Sequence, residues 1–97
     1  MGSTIYEIIF TNVSFKDLER LGKNIRERIL TELKSLSSFP LNSKRDIKKL
    51  KGVGKNIYRL RVGEFRVIYF LSDIRLVVLR IINRKDLVKI INRMKFN

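Results

Sequence analysis

The chain has 97 residues, a length typical of one domain, and it contains neither cysteine nor histidine. These two absences exclude disulfides, cysteine nucleophiles and the commonest zinc ligands, so we expect no metal site, and nothing in the sequence indicates a small-molecule cofactor. Lysine and arginine outnumber aspartate and glutamate by 22 to 9, which gives a formal net charge of +13. Such a charge attracts polyanions: nucleic acid, an anionic membrane or an acidic protein.

The N-terminal sequence shows no secretory signal. A secretory signal would need a basic region followed by a long apolar stretch, and the N-terminus has no such pattern. No apolar run approaches the length that crosses a membrane. No internal repeat or linker-like segment divides the chain. We therefore expect one domain over residues 1–97, located in the cytoplasm and not associated with a membrane.

The first half of the sequence predicts a strand followed by two helices. Residues 4–10, TIYEIIF, are β-branched and aromatic and indicate a strand. Ser14 and Asp17 have the spacing of a capping box and predict the start of a first helix. Asn24 and Glu27 repeat that spacing at the start of a second helix, which we expect to end before the single proline. Helices joined this closely form an αα-hairpin.

A basic loop and three strands are predicted next. Residues 40–56 are polar, and we expect a short helical turn within them at DIKKLKG, residues 46–52. Alternating apolar residues then predict three strands, at 57–62, 65–71 and 75–82. Gly63 and Glu64 fit a two-residue hairpin loop between the first two of these strands, with the glycine-first preference of a type II′ turn.

A terminal helix completes the predicted fold. Asp86 is a candidate cap for this helix. Its apolar stripe, which we expect to pack on the protein's own core, consists of Leu87, Ile90, Ile91 and Met94. The resulting order is β-α-α-β-β-β-α. We expect an α+β domain in which a helical hairpin packs on a mostly antiparallel four-stranded sheet.

The predicted hairpin YRLRVGEFRVIY, residues 58–69, carries three arginines. Its two-residue loop places Arg61 opposite Arg66, and strand alternation puts both on the same face as Arg59. Like charges opposed across an antiparallel pair destabilise a sheet by up to about 1 kcal/mol. An anion bound between them would explain this arrangement, because planar guanidinium donors match phosphate oxygens. The alternative is that the arginines extend separately into solvent or pair with acidic residues elsewhere in the chain.

Positive charge is concentrated around this hairpin. Residues 44–66 hold nine basic and two acidic residues. A charge run of this kind is often an ordinary solvated face, but its concentration on one segment favours a binding surface. Non-specific, salt-sensitive attraction to RNA is expected from five lysines, Lys48, Lys49, Lys51, Lys55 and Lys85.

Three motifs follow the paired helices in order. They are KLKG at 49–52, YRLRVGEFRVIY at 58–69 and VLRIINRKD at 78–86. With these motifs the sequence resembles the RelE/ParE superfamily of toxins, and its RelE-like branch in particular. The resemblance implies a single RelE-like domain, the toxin of a type II toxin–antitoxin pair, acting as a metal-independent mRNA endonuclease on the ribosome. In that reaction the 2′-OH attacks the adjacent phosphate and leaves a cyclic phosphate and a free 5′-OH.

The resemblance also implies catalytic roles for four arginines. Arg59 and Arg61 match the two basic residues of the strand before the glycine turn, one of which serves some members as general base. Arg66 matches the arginine that stabilises phosphate charge, and Arg84 matches the basic residue after the last strand. Two positions depart from the family. Arginine is a poor general base, and Val88 stands where members often have a tyrosine that stacks on the substrate base.

Two other functions stay open. A ParE-like toxin would share the fold but inhibit DNA gyrase by binding; loss of the tyrosine argues slightly for it, and the retained arginines argue against it. A basic RNA- or ribosome-binding module that does not cleave would fit the unmatched proton-transfer role, for which Glu64 is a weak candidate. The implied partners are the ribosome, mRNA and an acidic, partly disordered, RelB-like antitoxin that folds on binding.

Overall fold

A five-stranded sheet flanked by helices forms the fold in the computed structural model, which describes residues 5–41 and 45–95. The strands are β1 (Glu7–Phe10), β2 (Ile47–Lys49), β3 (Ile57–Val62), β4 (Phe65–Leu71) and β5 (Arg75–Asn83). The helices are α1 (Asn12–Glu19), α2 (Lys23–Leu36) and α3 (Leu87–Met94), with a 3-10 turn at Arg84–Asp86. Thr4 of the predicted first strand, Lys44 of the basic segment and the ends of the predicted domain lie outside the described residues.

The strands lie in the order β1-β5-β4-β3-β2. β1 runs parallel to β5, and the other neighbouring strands are antiparallel. The α+β class and the mostly antiparallel sheet are therefore confirmed. None of the helices in the described residues has the length and apolar character needed to span a bilayer.

The sheet has five strands and not four, because residues 47–49 pair with β3. The helical turn predicted at 46–52 is therefore wrong. Backbone hydrogen bonds to β3 replace it: Arg61 N donates to the Asp46 carbonyl at 3.0 Å, and Leu50 N donates to the Ile57 carbonyl at 2.8 Å. Pairing with a neighbouring strand satisfies the backbone N–H and carbonyl groups as well as a helical turn would. It also adds an edge strand beside β3.

The hairpin between β3 and β4 has the predicted register. Tyr58 lies opposite Tyr69, and Arg61 lies opposite Arg66. Gly63 has a φ of 58° and is alone in the two-residue loop in having a positive φ, as a type II′ turn requires. This register puts alternate residues on opposite faces of the sheet, so that each face receives its own core.

Two apolar clusters cover the two faces. On the first, Leu33 of α2 and Leu18 of α1 pack with Leu60, Val67 and Tyr69 of the hairpin. The second face is covered by α3, whose predicted apolar stripe packs on the domain itself. That cluster comprises Val53, Ile57, Ile68, Ile82 and Ile90, with Leu87, Ile91 and Met94 against it. The register places Arg59, Arg61 and Arg66 on this same face, with Ile57 and Ile68.

Helix starts differ from the predicted caps. Thr11, and not Ser14, is the N-cap of α1, and its side chain accepts a hydrogen bond from the Ser14 backbone N–H. α2 begins after Gly22, so Asn24 lies within its first turn instead of capping it. Asp86 does occupy the N-cap position of α3, without a capping hydrogen bond from its side chain. Local spacing located each helix to within a few residues but did not identify the residue that caps α1 or α2.

Candidate functional site

The four predicted arginines lie around the tip of the β3–β4 hairpin. Arg61 and Arg66 face each other near the ends of the two strands. Asn83, the last residue of β5, lies opposite Phe65, so Arg84 follows directly beside the hairpin loop. The Arg84 backbone N–H donates to the Glu64 carbonyl at 2.8 Å, which fixes the 3-10 turn against that loop.

Arg66 is the cation of this cluster that lacks an acidic partner. Its Nη1 donates to the carbonyl oxygens of Gly63 and Phe65, both at 3.0 Å. Among residues 5–41 and 45–95, no carboxylate lies within 4 Å of its guanidinium. Burial lowers the pKa of Arg66, and the neighbouring guanidiniums, Arg61 first, lower it further. An anion bound here would relieve this repulsion.

Asp46 lies immediately before β2 and contacts two of the arginines. Its Oδ1 accepts a hydrogen bond from Arg59 Nη1 at 2.9 Å, and its Oδ2 lies 3.7 Å from Arg61 Nη1. The hydrogen bond from Arg59 lowers the pKa of Asp46 below its usual value, so the carboxylate is charged at neutral pH. Sequence reasoning counted Asp46 only as an acid of the basic segment. The scarcity of acidic residues in that segment was the one signal in the sequence that could have drawn attention to Asp46.

Glu64 of the hairpin loop pairs with Arg84. Its Oε1 accepts from Arg84 Nε at 2.7 Å, and both side chains are exposed. Exposed pairs of this kind contribute little stability, typically less than about 1 kcal/mol. Among the described residues, two carboxylates therefore contact three of the four guanidiniums, and the hairpin tip keeps an excess of positive charge.

The five predicted RNA-binding lysines are all exposed, but they are not all beside the arginines. Lys48 pairs with Arg59 and shares its face of the sheet, and Lys85 follows Arg84 in the 3-10 turn. Lys49 lies opposite Tyr58 and so belongs to the other face. The remaining two, Lys51 and Lys55, lie in the loop between β2 and β3, at the end of β3 away from the hairpin tip.

Comparisons with known proteins agree on the family. A family model described as "ParE toxin of type II toxin-antitoxin system, parDE" matches residues 8–88. Toxin RelE3 of Methanocaldococcus jannaschii is 34% identical over 83 residues, 84% of this chain and 93% of the relative. The chain belongs to the RelE/ParE family of type II toxins. Putative toxin RelE1 of the same organism is 37% identical over 73 residues, 73% of this chain and 80% of that one.

The fold of this RelE/ParE toxin is also similar to that of a solved structure. A RelB–RelE antitoxin–toxin complex from Methanococcus jannaschii superposes with a TM-score of 0.70 at 31% identity. The match covers 84% of this chain and 96% of that chain. The RelE-like architecture expected from the motifs is therefore confirmed over most of the protein.

In this family member, the position for which the resemblance implies a base-stacking tyrosine is exposed to solvent. Val88, in the first turn of α3, is 69% exposed. The hairpin tyrosines do not replace it, because Tyr69 is fully buried and Tyr58 stacks on it with ring centroids 5.6 Å apart. The Tyr69 hydroxyl donates to the Pro40 carbonyl, and burial raises the pKa of this phenol. These two rings belong to the core.

The sequence alone did not predict an ion pair between the partly exposed Arg80 and the buried carboxylate of Asp17. Arg80 of β5 donates from Nε to Asp17 Oδ2 at 2.8 Å and from Nη2 to Oδ1 at 3.2 Å. The same Oδ2 accepts the Ile81 backbone N–H at 2.9 Å, beyond the point where β1 stops pairing with β5. Asp17 thus caps a strand edge instead of a helix. An arginine within the apolar run VVLRII was the signal, because a charge buried in a strand needs a partner.

Proposed function

We propose that this RelE/ParE toxin is a metal-independent endoribonuclease that cleaves mRNA on the ribosome. The observation that carries the proposal is the excess of guanidiniums at the hairpin tip, where Arg66 lies opposite Arg61 and beside Arg84 without a carboxylate of its own among the described residues. A phosphate diester supplies the missing anion. The RelE names of the curated relatives support this branch of the family.

In the proposed reaction the ribose 2′-OH attacks the adjacent phosphorus, and the bond from phosphorus to the 5′ oxygen breaks. The products are a 2′,3′-cyclic phosphate and a free 5′-OH. Arg66 and Arg61 bind the non-bridging oxygens, on which negative charge grows in the transition state, and Arg84 extends the same positive field. Preorganised donors of this kind accelerate phosphate chemistry without any change in their own protonation.

Proton transfer is not assigned to the arginines. A guanidinium stays protonated at neutral pH, so it cannot accept the proton of the 2′-OH. Glu64 is held by Arg84, and Asp46 has a lowered pKa, which makes its carboxylate a weak base. Under this proposal the toxin supplies electrostatic stabilisation, while solvent or ribosomal groups carry the proton from the 2′ oxygen and to the 5′ oxygen. The ribosome also holds the mRNA in the reactive geometry.

The proposal includes partners. Ribosomes and mRNA place the activity in the cytoplasm. The similar structure from Methanococcus jannaschii is a RelB–RelE complex. We therefore propose that an acidic, RelB-like antitoxin binds this toxin, and the net charge of +13 supports an acidic partner.

The 5′ ends of mRNA after induced expression test the proposal. Cleavage predicts new 5′-OH ends inside translated regions, spaced by whole codons, because the ribosome presents mRNA in codon steps. The variants Arg66→Ala and Arg84→Ala should relieve growth arrest while they keep the circular dichroism spectrum of the wild type. Full toxicity of both variants would show that the assigned site is wrong.

The description of the matching family model favours a second candidate, ParE-like inhibition of DNA gyrase. A gyrase supercoiling assay run beside a translation assay separates the two. Loss of supercoiling with normal translation supports the ParE-like function, and the reverse supports mRNA cleavage. Arrested translation with unchanged 5′ ends and intact ribosome binding would instead support a basic module that binds without cutting.

A further inference from the structure

Arg59 and Arg61 have the same residue type on the same face of β3 but very different surroundings. The Arg59 side chain is 11% exposed, whereas that of Arg61 is 55% exposed. Arg59 Nη1 makes a short hydrogen bond to the Asp46 carboxylate and a long one, 3.4 Å, to the Asp46 carbonyl. Arg59 therefore has a carboxylate of its own and little surface left for a ligand.

Asp46 connects the buried arginine to the exposed one. One carboxylate oxygen accepts from Arg59, and the other faces Arg61 at 3.7 Å, too far for a strong hydrogen bond but close enough for attraction. The backbone carbonyl of Asp46 accepts the Arg61 N–H at 3.0 Å. The side chain and the main chain of one residue thus fix the segment of β3 that carries both arginines.

We propose that Asp46 and Arg59 form a positioning pair: Arg59 does not contact RNA but holds the Asp46 carboxylate, which keeps Arg61 in place opposite Arg66. The inference rests on the proposed function insofar as an RNA phosphate binds at Arg61 and Arg66. It divides the arginine set by role. Arg61 and Arg66 contact the phosphate, and Arg59 acts only through Asp46.

The electrostatics of the pair support this division. A cation that contacts a phosphate releases counterions, which makes the affinity for RNA depend on salt. Arg59 is already neutralised by a carboxylate, so an RNA strand gains little from it. Like charge remains at Arg61 and Arg66, which lie directly opposite each other on strands that pair over six residues. The Asp46 carboxylate reduces their repulsion without covering the exposed part of Arg61.

The salt dependence of RNA binding tests the assignment. The probe is a short single-stranded RNA with 2′-O-methyl riboses, which cannot be cleaved because the attacking hydroxyl is blocked. Its affinity for the full chain is measured by fluorescence anisotropy over a series of salt concentrations. For single strands, the slope of log K against log salt changes by about 0.7 for each phosphate contact.

Three variants should separate the roles. Arg61→Gln should weaken binding and reduce the slope by about 0.7, whereas Arg59→Gln should leave the slope unchanged. Asp46→Asn should steepen the slope by up to about 0.7, because Arg59 then becomes an unneutralised cation. The matched control Asp73→Asn makes the same charge change in the β4–β5 turn, at the opposite end of β4 from the hairpin tip, and should leave the slope unchanged.

A double variant completes the cycle. Asp46→Asn combined with Arg59→Gln removes both charges and should restore the wild-type slope. Loss of fold in any variant would lower the active fraction but would not steepen the slope, so a structural defect cannot imitate the Asp46→Asn result. If Arg59→Gln does not fold, the comparison of Asp46→Asn with Asp73→Asn still tests whether Asp46 and Arg59 form the positioning pair.

The outcomes separate this inference from the proposed function. Equal slope losses for Arg59→Gln and Arg61→Gln, or equal behaviour of Asp46→Asn and Asp73→Asn, would overturn the positioning pair even if mRNA is cleaved. If the slopes are as expected but no new 5′-OH ends appear in mRNA, the proposed endonuclease activity would be overturned and the positioning pair would be supported. A wild-type chain that shows no salt-dependent affinity for the RNA would overturn the pair.

Discussion

Two groups of arginines on the same sheet differ in how their charge is balanced. Within β5, Arg80 makes two hydrogen bonds to Asp17, a carboxylate that is only 7% exposed and that also accepts the Ile81 N–H. One cation therefore meets one anion. At the hairpin tip, among the described residues, three of the four guanidiniums share two carboxylates, and Arg66 has none within 4 Å.

This difference separates a structural pair from the proposed binding site. A buried, fully matched pair needs nothing from outside the domain, and removing one partner leaves an uncompensated charge. In an undermatched cluster the like charges repel one another, and a bound anion would relieve this repulsion. The presence of an arginine in a strand therefore does not by itself indicate function. The number of carboxylates around the arginine and the exposure of its side chain are what indicate it.

The largest expected effect is on activity and comes from Arg66→Ala. Loss of a donor to the transition-state charge should reduce cleavage about 10²–10³-fold, the range for one preorganised donor. The unfolding free energy should stay within about 1 kcal/mol, because repulsion from Arg61 is lost together with the two carbonyl contacts. Single-turnover cleavage on programmed ribosomes and urea unfolding measure the two quantities.

Arg66→Lys is the control for charge alone. A lysine retains the positive charge but lacks the planar fork, so its rate should fall between those of the alanine variant and the wild type. A rate within threefold of the wild type for Arg66→Ala would remove Arg66 from the proposed site.

The reverse pattern is expected for Arg80→Ala. It leaves the Asp17 carboxylate buried without its cation, and the unfolding free energy should fall by about 2–3 kcal/mol. Cleavage per folded molecule should not change. Arg75→Ala is the matched control, because Arg75 pairs with Glu7 at 3.5 Å with both side chains exposed, and its loss should be below about 1 kcal/mol. Equal losses for the two variants would mean that the Arg80 pair has no special structural role.

An intermediate effect on the hairpin itself is expected from Gly63→Ala. The φ of 58° is costly for any residue with a Cβ, and an added Cβ would lie 3.1 Å from Arg28 Nη1. We expect a loss of about 1–2 kcal/mol in unfolding free energy, together with slower cleavage, because the turn sets the Arg61–Arg66 register. Gly22→Ala, at a φ of −63° with open space around it, is the control and should cost no more than about 1 kcal/mol. Indistinguishable variants would argue against strain at the turn.

The sequence was sufficient for the parts of the fold that local patterns determine. A two-residue loop with glycine first fixes the register of the hairpin, and from that register follow the two apolar faces and the Arg61–Arg66 opposition. The family motifs then predicted that Arg84 belongs to the same site as these two arginines. The apolar stripe of α3 was predicted by its helical spacing, since Ile90 and its neighbours leave one face for the core.

Long-range pairing accounts for the rest. Asp17 and Arg80 are 63 residues apart in sequence, and Asp46 and Arg59 are 13 apart, so no local spacing connects either pair. Asp17 instead matched a capping box with Ser14, a pattern that its contact with β5 overrides. β2 was missed for the same reason, because Ile47–Lys49 has no clear alternation and becomes a strand only through β3.

The smallest expected effect is the acid dependence of the Asp46 pair. The Arg59 hydrogen bond lowers the folded-state pKa of Asp46 below its unfolded value, so the stabilisation is present above about pH 4 and is lost as the pH falls through the lowered value. Because the carboxylate is 48% exposed, the gain is about 0.5 kcal/mol or less. The difference in unfolding free energy between the wild type and Asp46→Asn should therefore shrink on acidification. In an Arg59→Gln background that difference should already be small at neutral pH, and a difference that instead grew in acid would contradict the ion pair on which the positioning role of Arg59 depends.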